Sequence, residues 1–239
     1  FVMTMLSLIQ HHLRRTGLPY TTVVYGSTDN QVLQAMALLE EEGNDLAVRH
    51  DWQALTLEAA HTSLAQEDQG AISTIAANGF RHIKNETIWD RTNSLPIIGP
   101  IDDKDWQSIK GMTSTGARYR YRVRGGKLLI TPTPTAGLSW YFEYVSKNWI
   151  LGADGTTYKQ YFTLDTDTLL LPEELLLAGL RWRWKKEKGL DYAEDFRTYE
   201  DQVKDAIGRD GGKRPVYMDL STEHTGPAVF VPAGNWSVP

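Results

Sequence analysis

The sequence predicts an α+β protein: a helical bundle built from N- and C-terminal helices, an inserted antiparallel β-rich domain, and an extended C-terminal tail. Three observations carry this reading. Apolar residues recur at helical spacing near both ends of the folded part of the chain, and the period drops to two in its middle. Beyond residue 213, Pro215, Pro227, Pro232 and Pro239 exclude a long helix. The expected division is residues 1–53 with 165–212 for the bundle, 54–164 for the insertion and 213–239 for the tail.

Leu6, Ile9 and Leu13 form a stripe on a helix over 4–16, closed by Gly17 and Pro19. Thr28 with Gln31 is a candidate capping box for a second helix over 28–50. Val32, Met36, Leu39, Gly43, Leu46 and His50 share one face of it, and Glu40-Glu41-Glu42 reads as its solvated side. Residues 54–64 and 87–98 read as extended, and Asp102 caps a short helix, DDKDWQSIKG. In RYRYRVRGGKLLITP, arginines alternate with Tyr119, Tyr121 and Val123, Gly125-Gly126 makes a two-residue turn, and Lys127 to Thr131 returns. Leu138 to Val145 reads as a third strand.

Two helices follow in tandem. Pro172, Glu173 and Glu174 suit the start of one over 172–188; Lys185, Lys186 and Lys188 suit its end, with Gly189 as a left-handed stop. Asp191 with Glu194 resembles a capping pair for a helix over 191–209. Its apolar stripe is Tyr192, Phe196, Tyr199, Val203 and Ile207, and Asp210-Gly211-Gly212 ends it.

Composition and motif search exclude more than they assign. Hydrophobic content of 41% and charged content of 23% are ordinary for a globular chain. Pro172, Glu173 and Glu174 interrupt the longest apolar run, so no membrane span is expected. The absence of cysteine excludes disulfides, thiolate metal sites and a cysteine nucleophile. The net charge of −5 argues against binding nucleic acid through a globally basic surface. His11, His12, His50, His61, His82 and His224 show no metal-ligand spacing, and no phosphate-loop, nucleophile-elbow or dinucleotide motif occurs. Asp165-Thr166-Asp167-Thr168 reads as a turn whose side chains bond the backbone rather than as paired catalytic acids.

The remaining features point to contacts. Arg118, Arg120, Arg122 and Arg124 line one strand face, either as a phosphate-contacting row or as a solvent-facing or inter-subunit row. Trp182 and Trp184 cannot share one helix face, so either that helix is buried nearly all round or one indole meets another protein. The tail carries Tyr217, Phe230 and Trp236 among other apolar residues, a pattern of anchors suited to docking on a partner.

Five stretches carry a resemblance: RWRWKKEKGLDYAEDFRTYEDQVKDAIGRDGGK at 181–213, DRTNSLPIIGPIDDKDWQSIK at 90–110, RVRGGKLLITPTPTAG at 122–137, EYVSKNWIL at 143–151 and HDWQALTLEA at 50–59. Together they make most of residues 4–213 similar to the head-to-tail adaptor (head completion) proteins of short-tailed bacteriophages. The resemblance implies a ring, a dodecamer, beneath the portal protein, joining capsid to tail and lining the DNA exit channel. It implies tail nozzle or tail fibre proteins as further partners, and genomic DNA passing without sequence-specific binding. It implies a place in the virion neck, assembly in the host cytoplasm, no membrane, and no cofactor, metal or catalytic residue. On that reading Glu40, Glu41 and Glu42 are candidate channel-lining acids. The alternative is a peripheral tail component stacking host carbohydrate on Trp140, Tyr141, Trp149 and Tyr158.

Overall fold

The computed structural model describes residues 3–111 and 118–211. Helix α1 (Met5–Thr16) is capped reciprocally by Thr4 and Ser7, and Gly17 closes it in the left-handed conformation. It buries Met5, Leu8, Ile9, His12 and Leu13. Helix α2 (Asn30–Arg49) starts one residue later than the expected box: Asp29, not Thr28, accepts the Gln31 N–H at 2.9 Å. A carboxylate at that position also suits the positive helix end.

The chain then turns extended. Strand β1 (Thr56–Thr62) is followed by β2 (Asp68–Ala71), a one-turn helix α3 (Ile72–Ile75), β3 (Phe80–Ile83), β4 (Trp89–Asp90) and β5 (Leu95–Pro96). Helix α4 (Asp103–Gly111) begins where Asp102 accepts the Asp105 N–H at 2.7 Å, the cap expected, and it buries Trp106. Strands β6 (Arg120–Arg124) and β7 (Lys127–Thr131) form the expected hairpin, with Arg124 opposite Lys127 and both turn glycines at positive φ.

Strand β8 (Ser139–Ser146) leaves that hairpin and becomes the spine of another sheet. It pairs antiparallel with β1 along one edge, from Thr56 opposite Val145 to Thr62 opposite Ser139. Along its other edge it pairs with β3 and β4, and β5 extends the sheet beyond β4. A second sheet has the order β2-β7-β6. Between them sits an apolar core that includes Ile83, Ile97, Tyr121, Ile130, Trp140 and Phe142. Short strands β9 (Ile150–Leu151), β10 (Tyr158–Lys159) and β11 (Thr168–Leu169) make a third sheet, ordered β10-β9-β11.

Helices α5 (Glu173–Glu187) and α6 (Ala193–Arg209) complete the described chain. Helix α5 ends in a two-bond stop: Leu190 N–H donates to Lys185 C=O at 2.9 Å and Gly189 N–H to Lys186 C=O at 3.1 Å. Asp191 accepts the Ala193 N–H at the start of α6. On α6, Tyr199 and Val203 are buried, whereas Tyr192 and Phe196 keep an exposed edge. Helix α5 packs against α1, α2 and α6 and buries Leu175, Leu176, Gly179, Leu180, Trp182, Arg183 and Trp184, leaving Glu174, Arg181 and Lys185 on its more open face. One apolar core joins these four helices to Val145, Trp149, Ile150, Phe162 and Leu169. Trp149, Ile150 and Phe162, from the stretch expected within the β-rich insertion, pack in the core of the helices. The expected tail lies outside the described residues.

Candidate functional site

The centre of the helical part holds a charged cluster where a solvated face was expected. Glu42 is fully buried. Its Oε2 accepts from Arg183 Nε at 2.6 Å, and its Oε1 accepts from the Tyr199 hydroxyl. The same guanidinium reaches Glu41 and Asp45, whose side chains are more than half exposed. Glu40 is also engaged: it accepts the Phe162 N–H at 3.0 Å. The Glu40-Glu41-Glu42 run is thus a junction between α2, α5 and α6, not a free acidic face. Gly179 makes room for it, because a Cβ there would overlap the Glu42 carboxylate; Gly43 likewise makes room for the Trp149 ring. Burial holds the Glu42 carboxyl above the ordinary range, with the bonds from Tyr199 and Arg183 working against it. Sequence reasoning missed this cluster. The available signal was Glu42 itself, four residues after Leu38 and four before Leu46, both buried.

The tryptophan pair resolves to the buried alternative. Trp182 packs edge-on to Phe196 with ring centroids 5.1 Å apart and also meets Tyr192 and Tyr199 of the α6 region. Trp184 turns the other way and meets His12 of α1 at 5.3 Å. Both indoles are therefore consumed mainly inside the chain, since α5 has neighbours on opposite sides, and neither is an exposed anchor.

The arginine row keeps its alternation but not its freedom. Tyr121 faces the core, while Arg118, Arg120 and Arg124 are exposed. Arg122 is ion-paired with Asp103 of α4, and its side chain is only 15% exposed, which removes it from any open row. Tyr217, Phe230 and Trp236 lie outside the described residues. The aromatic platform weighed for sugars is also largely internal: Trp140 and Trp149 are buried, and Arg91 covers Tyr141 at 3.5 Å from its ring centre.

The paired aspartates do structural work, as their spacing suggested. Asp165 accepts from Tyr25 N–H at 2.7 Å and Val24 N–H at 3.2 Å, tying down the loop between α1 and α2. Asp167 is fully buried, accepts from Thr163 and Leu164 N–H, and pairs with Lys159 at 2.8 Å. Among the described residues no group of three or more potential ligands could hold a metal ion, and no helix is long and apolar enough to cross a membrane.

Packed junctions, surface arginines and side-chain-to-backbone ties are what the described residues bring together. Comparison with known families names the class. The chain belongs to the SU10 adaptor protein family, whose model matches residues 3–224, and it is thereby a phage adaptor protein. No curated protein matches the chain.

Proposed function

We propose that this chain is the head-to-tail adaptor of its virus: twelve copies form a ring beneath the portal, join the capsid to the tail, and line the channel through which DNA leaves. The observation that carries the reading is the family match over residues 3–224. The engagement of the charged residues 40–45, 165, 167 and 183 in internal ties agrees with a rigid building block. Helices α1, α2, α5 and α6 supply the wedge of each subunit. Exposed Arg118, Arg120 and Arg124 are the row left for contacts with neighbouring chains or tail parts. Tyr217, Phe230 and Trp236 are the anchors by which the tail reaches a neighbour or the portal.

The acidic balance suits a conduit. At −5 per chain, a ring of twelve sums to about −60 formal charges, which keeps a polyanion from adhering to the wall. Glu42 contributes none of this at the wall, because it is internal. The reading is tested genetically. A virus carrying a disrupted copy of this gene is expected to accumulate heads without tails, whereas normal tailed particles would contradict the adaptor role.

A further inference from the structure

A cavity of about 390 Å³ opens between the C-terminal halves of α1 and α5. Its walls are of two kinds. Leu177, Trp184 and Leu190 give it an apolar side; Arg15, Arg181 and Lys185 give it a cationic one. Arg181 and Lys185 share a single carboxylate, Asp195 of α6, with Arg181 at 3.1 Å. Arg15 has no ion pair among the described residues, so three cations face one acid and two positive charges stay uncompensated. His12 completes the lining. It is 3% exposed, and its Nε2 is buried with no hydrogen-bond partner. Among the described residues five buried side-chain polar atoms lack a partner, and His12 Nε2 is the one whose residue lines this cavity.

We propose that this cavity docks an acidic peptide segment of a partner protein, taking an aspartate or glutamate side chain with an apolar neighbour. The carboxylate lies against Arg15, a turn of the buried His12 ring brings Nε2–H to the cavity surface as its second donor, and the apolar neighbour covers Leu177, Trp184 and Leu190. Both walls are then used, and the orphaned nitrogen gains its acceptor. Burial and the nearby Arg15 keep the imidazole neutral at pH 7, with its pKa pushed down to about 4, and in its Nε2–H tautomer the ring is a donor that carries no charge of its own. The volume falls in the range of formed ligand sites. A DNA strand fits less well: it offers phosphate to the cations but nothing apolar to the leucines, and the chain as a whole is acidic. This inference deepens the adaptor reading by giving the chemistry of one partner contact, but its test needs neither ring nor portal.

The experiment titrates the full chain with the blocked peptide acetyl-Ala-Leu-Asp-Leu-Ala-amide, with its Asn counterpart, and with a short DNA duplex. Calorimetry and the His12 ring signals in NMR are the readouts. Saturable binding of the Asp peptide is expected with a Kd on the order of 1 mM or tighter, moving the His12 signals. The Asn peptide should bind about tenfold more weakly, and Arg15→Gln and His12→Phe should each weaken the Asp peptide by about the same factor. Arg15 is exposed, so its variant reports even where the His12 variant folds poorly. Equal binding of Asp and Asn peptides, no binding, or binding unchanged in both variants would overturn the proposal. So would duplex binding that the Arg15 variant abolishes while the peptides fail to bind. Failure of any of these kinds leaves the adaptor reading intact, because that reading fails instead through a portal that stays bare.

Discussion

Replacing Arg183 by methionine removes the guanidinium that holds Glu42, and the structure sets the size of the effect. Glu42 is fully buried and Arg183 is 7% exposed, so neither charge has water to fall back on. Without Arg183, the carboxylate keeps only the Tyr199 hydroxyl as a direct donor. Breaking a buried pair from one side costs about 3–5 kcal/mol, because a charge is left without its partner. In a chain of 239 residues that lowers Tm by roughly 6–20 °C. Glu42→Gln is expected to be milder, about 1–2 kcal/mol, since Arg183 retains Glu41 and Asp45 at its exposed rim. In that Gln background, Arg183→Met should then cost only about 1–2 kcal/mol, giving a coupling energy of about 2–3 kcal/mol. Urea unfolding followed by circular dichroism and by tryptophan fluorescence measures each term, provided the two probes coincide. A cost below about 1 kcal/mol for Arg183→Met, or the same cost in both backgrounds, would refute the buried-junction reasoning.

Four further outcomes follow from the packing and the buried titratable groups. Gly43→Ala should destabilise by about 1–3 kcal/mol, since a Cβ there overlaps Trp149, whereas Gly208→Ala in α6, where a Cβ meets nothing, should stabilise by about 0.5–1 kcal/mol; urea midpoints decide both. His12 has a pKa pushed down to about 4 in the folded chain, so the unfolded chain takes up the proton first as pH falls. Its contribution is intact above about pH 6.5 and is lost between there and pH 4, roughly 3 kcal/mol in all; the difference between wild type and His12→Phe across that range isolates it, and a flat difference would refute it. Asp167→Asn should cost about 1.5–3 kcal/mol at neutral pH. Its carboxyl is held below the ordinary range against burial by Lys159 and the Thr163 and Leu164 N–H groups, so that contribution should disappear as pH falls below about 4.

The elements with local causes were readable in the sequence. Gly125-Gly126 dictates its hairpin, Asp102 its cap, and Gly189 its helix stop, because each acts on residues within a turn of itself. What failed to show was set by distant packing. Strand β8 has the pattern of any strand, and nothing local says that it pairs with β1, over seventy residues upstream, instead of β7. Trp182 and Trp184 posed the right question, but only the placement of α1 and α6 on opposite sides of α5 answers it. Glu42 was hidden for the same reason: a charge in an acidic run reads as solvated until Arg183, 141 residues away, is seen to meet it. His12 was the converse case, a histidine without motif whose burial and lack of a partner appear only in three dimensions.

The measurement that tests the central claim most directly is electron microscopy of the portal ring from the same virus, alone and mixed with this protein. The adaptor account predicts an added layer of density with twelve-fold symmetry on the tail side of the portal. A portal that remains bare at high protein concentration would contradict it.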